Sequence, residues 1–116
     1  MTDLIDGEQI TVLAQAAGKD AVMPILDAFW ASNEELLVQL QQDIAAKNAD
    51  AIAKTGHALK GSAANLGATR VSATAKDVEF AGKAGDVETA SEAATRLPAE
   101  IEETKTAFAA LMDQVA

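Results

Sequence analysis

His57-Ala58-Leu59-Lys60-Gly61-Ser62-Ala63-Ala64-Asn65-Leu66-Gly67 holds the one histidine of a 116-residue chain. Set on an α-helix at about 100° per residue with His57 as origin, Leu59 and Leu66 fall at about 180–200°, with Ile52 and Ala63 beside them. Gly61, Ala64 and Ala53 lie within about 40° of the histidine, and Lys54 and Lys60 flank it at about 60° on either side. A helix that turns its aliphatic row to a core therefore turns His57 to water, between two lysines and above small residues.

Working outward, Asn48 or Asp50 can cap this helix, which runs from about Ala51 to Leu66 and stops at Gly67, a residue that tolerates the left-handed conformation. After it, Val71, Ala75 and Val78 predict a helix from about Thr69 to Lys83. Phe80 points away from that row and is expected to find a neighbour in the first helix. Gly85 breaks the chain and Asp86 caps a last helix, in which Val87, Ala90, Ala94, Leu97, Ile101, Phe108, Leu111 and Val115 keep register. Pro98 should kink that rod or split it in two. Upstream, Val22, Ile25, Leu26, Phe29, Leu36, Leu37, Leu40 and Ile44 recur at three- and four-residue steps, with Asn33 interrupting the row. That helix is expected to start at Asp20 as cap, or at Pro24. A short first helix follows Asp6 as N-cap, carries Ile10, Leu13, Ala14 and Ala17, and ends at Gly18.

The expected fold is all-α: an antiparallel four-helix bundle with a short additional N-terminal helix, forming one domain over residues 1–116. Composition agrees, because 49% of residues are hydrophobic but only 3% aromatic, which suits close-packed helices better than a sheet. A formal charge of −9 disfavours binding to phosphate backbones and anionic lipid, so neither nucleic acid nor membrane is expected as a partner. Cysteine is absent, which removes thiolate chemistry and fits a cytoplasmic location. The first residues have no basic and apolar regions of a secretory signal, and no apolar run is long enough to span a membrane.

What could the histidine do? One imidazole without cysteines cannot assemble a zinc site from anything but carboxylates, so no metal is expected. Ser62 is a poor nucleophile for a hydrolase, since it lies about 140° round the helix from His57. A surface histidine without a role is the plain alternative. Gly61 counts against it, because a glycine inside a helix costs about 1 kcal/mol relative to alanine and here clears space beside the ring. An exposed imidazole with a neighbouring ammonium and a cleared floor suits a phosphoryl acceptor. With no Gly-rich nucleotide loop in the chain, a partner must bring the phosphoryl group.

The run from His57 to Gly67 resembles the signature of histidine-containing phosphotransfer (HPt) domains of two-component phosphorelays. Ile5-Asp6, Gly18-Lys19-Asp20, Ala28-Phe29, Val78-Glu79 and Gly85-Asp86 extend the likeness over nearly the whole chain. The resemblance implies a carrier with no kinase activity or cofactor of its own, and Mg²⁺ expected on the partner. His57 would accept a phosphoryl group on Nε2 from the aspartate of a response-regulator receiver domain and relay it to another. Lys60 would neutralise it, Gly61 would give the receiver clearance, and Glu79 would hold the other ring nitrogen. Docking is expected around Ala53, Ala64 and Ala68, with side chains of the second helix. Ser62 and Asn65 fit as helix and turn architecture. The implied partners are receiver domains and a hybrid histidine kinase, and the implied state is a monomer. Two features depart from the pattern: Gly56, expected to loosen the turn before His57, and the thin apolar row of the fourth helix. A helical module that docks on a receiver or kinase without being phosphorylated is the alternative reading.

Overall fold

The computed structural model describes residues 3–115. Among these residues the elements are six helices: α1 (Glu8–Ala17), α2 (Lys19–Ala45), α3 (Ala49–Leu66), α4 (Thr69–Lys83), α5 (Val87–Ala94) and α6 (Leu97–Gln114). Turns of two or three residues join α2 to α3, α3 to α4 and α4 to α5, so successive helices reverse direction. The long helices α2, α3, α4 and α6 make the bundle, with α1 and α5 as short additions. The fold is the expected all-α bundle with a short N-terminal helix. No helix among the described residues is long and apolar enough to cross a membrane.

The aliphatic rows form one core. Leu40, Ile52, Leu59, Val71, Val78, Leu97 and Phe108 are all fully buried, and each such side chain contributes about 1.5–3 kcal/mol relative to exposure. Trp30 tilts against Phe108 with ring centroids 6.2 Å apart, which ties α2 to α6. A buried polar contact adds direction on the α3 side: Thr55 donates to Asp43 Oδ2 at 2.7 Å, and Gln39 Nε2 donates to Oδ1 at 2.8 Å. Asn33, which breaks the apolar row of α2, is itself fully buried within the bundle.

Several caps follow the sequence signals. Asn48 accepts from the Ala51 amide at 3.1 Å and Asp86 from the Thr89 amide at 3.0 Å. Gly67 ends α3 at φ 94° and ψ 18°, a left-handed conformation in which any side chain would also run into the Asp6 carbonyl. The Asp6 amide donates to the Gly67 carbonyl at 2.7 Å, so the N-terminal segment is laced onto the α3–α4 turn. Pro98 falls in the first turn of α6 and the rod splits there, with Thr95 and Arg96 between the halves.

Four expectations need correcting. Asp6 is not the N-cap of α1; Gly7 is, although the Asp6 carboxylate accepts from the Glu8 amide at 3.2 Å. The second helix begins at Lys19 with Gly18 as its cap, and Pro24 lies inside it. The proline would deprive only the carbonyl of Asp20 of a partner, and both residues are exposed, where water can serve instead. Phe80 does not pack on the first helix but stays 52% exposed. Gly56, finally, does not loosen its turn.

Gly56 instead permits a backbone-to-backbone contact between α3 and α4. A Cβ there would lie 2.8 Å from the Glu79 amide nitrogen and 3.0 Å from its Cα, and a Cβ on Gly82 would lie 2.7 Å from the Ala53 nitrogen. These are backbone atoms and cannot step aside as a side chain can. The thin apolar row of α4 is thus the sign of a helix packed through small residues. We expect Gly56→Ala and Gly82→Ala each to destabilise the fold by about 1–3 kcal/mol or more. At Gly61 a Cβ would meet nothing within 4 Å, so Gly61→Ala should stabilise by up to about 1 kcal/mol. Urea unfolding of the three variants checks both signs.

Candidate functional site

The site is built where α3 and α4 touch. His57 emerges from α3 with its side chain 68% exposed, while Leu59 and Leu66 behind it are buried. Glu79 emerges from α4 into the seam and is only 1% exposed. Its burial follows from the backbone contact at Gly56, which brings α3 down onto the Glu79 main chain.

A buried carboxylate needs donors, and this one has three. Lys60 Nζ donates to Oε1 at 2.6 Å, His57 Nδ1 lies 2.8 Å from Oε2, and Lys83 Nζ lies 3.3 Å from Oε2. The Lys60 hydrogen bond is the main reason the carboxyl is held at about 2, well below its ordinary 4.5. Burial opposes that shift, and the contacts from His57 and Lys83 add to it. At neutral pH Glu79 is therefore ionised and can only accept. The proton of the contact must sit on His57 Nδ1, which leaves the Nε2 lone pair of the neutral ring available to an incoming group.

The structure brings His57, Lys60 and Glu79 into one cluster. Gly61 lies one turn further along α3, half-buried, with open space where a side chain would be. Of the three alanines expected at a docking surface, Ala64 is exposed and Ala53 is 8% exposed at the edge of the histidine. Ala68 must be corrected: it is fully buried, because it sits in the α3–α4 turn, covered by the core, and not on the open face of α3. A shallow depression beside the ring is lined by Asp50, Ala53, Lys54, His57, Glu79 and Lys83.

Two participants escaped the sequence reading. Lys83 stands four residues after Glu79 on α4, a spacing that pairs opposite charges on a helix, and that signal could have found it. Thr55, whose bond to Asp43 fixes the turn before the histidine, carried no such mark. Among the described residues no group of three or more His, Cys, Asp or Glu side chains could hold a metal ion.

The described residues thus form an all-helical bundle with a solvent-facing imidazole held from behind by a buried carboxylate. The family model of the Hpt domain matches residues 24–107, and the chain belongs to that family. Its place is therefore that of a histidine phosphotransfer domain of phosphorelays. The crystal structure of histidine-containing phosphotransfer protein B (HptB) from Pseudomonas aeruginosa PAO1 superposes with a TM-score of 0.82, covering 97% of both chains at 23% identity. That likeness concerns the fold. No curated protein matches the sequence.

The depressed carboxyl of Glu79 has a consequence for acid stability. Its ionised form contributes stability that is complete above about pH 4.5 and is lost as pH falls through about 2. Wild-type stability should fall more steeply over that window than that of Glu79→Gln, whose amide does not titrate. Urea midpoints measured at intervals across it test this, and parallel curves would mean that the carboxylate is not held ionised.

Proposed function

We propose that this chain is a phosphocarrier that accepts a phosphoryl group on His57 Nε2 from the phosphorylated aspartate of a receiver domain and passes it to a second receiver. The observation that carries this reading is the 2.8 Å contact between His57 Nδ1 and Glu79. It fixes the tautomer, turns the ring and aims the reactive lone pair at solvent.

In the forward step the Nε2 lone pair attacks phosphorus, the N–P bond forms, and the P–O bond to the aspartate breaks to release its carboxylate. The Nδ1 proton stays in place, so the ring becomes a cation next to ionised Glu79. Lys60 has three N–H donors and uses one on Glu79, which leaves others for the phosphoryl oxygens. Lys83 holds the carboxylate from the other side. Gly61 leaves room for the receiver's loops, and the docking surface includes Ala53 and Ala64. Mg²⁺ chemistry belongs to the receiver, and the chain acts as a carrier and not as a kinase. A hybrid histidine kinase is the expected source of the relay, and the domain is expected to act as a monomer.

A phosphorylated receiver with Mg²⁺ should label the wild type with an acid-labile, alkali-stable adduct, and His57→Gln should take none. Absence of label from every cognate receiver would refute the carrier reading and favour a docking module, which would bind the receiver equally well as His57→Ala. Label on His57→Gln would refute the site assignment. Gly61→Leu should keep full helicity by circular dichroism yet lose transfer by about tenfold or more, since binding must then move a bulky side chain.

A further inference from the structure

Charge is distributed unevenly over this molecule. On α3 and α4 the cations are Lys54, Lys60, Arg70, Lys76 and Lys83, and the carboxylates are Asp50, Asp77 and Glu79. The hairpin thus has a net charge of +2 in a chain of formal charge −9, which leaves −11 for everything else. Glu79 is buried under its donors, and Asp77 is spanned by Arg96 at 3.1 Å. Lys60 and Lys83 are in turn engaged with Glu79, and Lys54 with Asp50, so the excess of cations on this hairpin is modest and local.

Phe80 lies in the middle of that flank. It is 52% exposed, and Lys76 Nζ and Lys83 Nζ stand 5.3 Å and 5.9 Å from its ring centroid. Lys83 also reaches Glu79 Oε2 at 3.3 Å. One side chain therefore joins the ring to the His57 cluster, and the surface is continuous from the imidazole across Lys83 to Phe80 and Lys76. On the other side of the ring a shallow groove runs between α4 and α5, lined by Asp77, Ala81, Thr89, Glu92, Ala93 and Arg96, so that the cationic side of Phe80 is the one toward Lys76 and Lys83. A single exposed apolar residue is ordinary. An exposed aromatic bracketed by two ammonium groups and contiguous with a reactive histidine has the make-up of an interface anchor, since aromatic and cationic side chains dominate such sites.

We propose that this flank of α4 is a second contact for the receiver domain that serves His57, and that it selects receivers carrying acidic residues opposite Lys76 and Lys83 with an apolar seat for Phe80. The proposal rests on the phosphocarrier reading. The asymmetry of charge has a further effect: the acidic remainder of the chain repels an acidic partner, so such a partner is steered toward the Lys76–Lys83 flank.

The test is receiver-to-His57 transfer measured against receiver concentration, at about 0.05 M and about 0.5 M salt. For the wild type, raising the salt should lower the second-order rate about tenfold. Lys76→Glu should lower it about tenfold at low salt and flatten the salt response. Phe80→Ala should raise the half-saturating concentration about tenfold, a loss that salt does not alter. Lys105→Glu, which makes the same change of charge on α6, should match the wild type. A wild type that takes no phosphoryl group refutes the carrier reading itself. Transfer that is efficient in the wild type, independent of salt and within twofold in Lys76→Glu and Phe80→Ala overturns this proposal alone, as does an equal loss in Lys105→Glu.

Discussion

The backbone contact between α3 and α4 is the constraint on which the site depends. Gly56 meets the Glu79 main chain, and Gly82 meets that of Ala53, with room for no Cβ at either place. The two contacts repeat at three residues on each helix, in opposite directions along the chain, so together they lock an antiparallel register. That register sets Glu79 below His57 and Lys60. It also sets what offsets the cost of burying a carboxylate here: helices this close exclude water from the seam, and the neighbouring ammonium groups and ring take the place of the lost solvation. Separation of the helices would admit water and let Glu79 choose other partners.

From this seam the bundle is organised asymmetrically. On its inner side α3 is held by aliphatic packing and by the Thr55–Asp43 hydrogen bond to α2. On its outer side the residues one and two turns beyond the histidine are small, Gly61 and Ala64, while Lys54 and Lys60 stand to either side of the ring. Rigidity is therefore concentrated behind the imidazole and space in front of it. A histidine on a loose helix would gain the same exposure but lose its fixed tautomer and direction, and positioning is most of what a phosphoryl acceptor can contribute.

Much of this was legible in the sequence, because periodicity and capping are local. The outward direction of His57, the burial of Leu59 and Leu66, the caps at Asn48, Asp86 and Gly67, and the break at Pro98 all follow from spacing and residue type. What was not legible depends on distance between helices. A helical wheel assigns Gly56 and Gly82 to faces but not to a contact, so Gly56 read as a weak point when it is a point of closest approach. Glu79 was placed beside His57 by the family resemblance alone, with no local sign that it is buried or shared with Lys83. Ala68 and Phe80 failed for the same reason. Whether a small residue at a turn is covered, or an aromatic finds a neighbour, is decided by how α4 settles against α3 and α5.

The choice of a carboxylate with two lysines, and not a neutral amide alone, has an electrostatic rationale on the phosphocarrier reading. With the ring in its neutral, nucleophilic form the cluster of Glu79, Lys60 and Lys83 carries one net positive charge, which draws an anionic group toward Nε2. After transfer the ring is cationic and the phosphoryl group carries two negative charges, so the whole assembly comes to zero. A neutral amide at position 79 would leave the loaded site one unit more positive and bind the phosphoryl group more tightly. Glu79 without the lysines would stand close to the phosphoryl group uncompensated and oppose loading. Near-neutrality in the loaded state keeps the phosphoryl group from being trapped, and a relay must surrender its cargo as readily as it takes it. Lys60 and Lys83 are then best understood as setting the balance between the two states, and Glu79 as the group that lets both share one pocket.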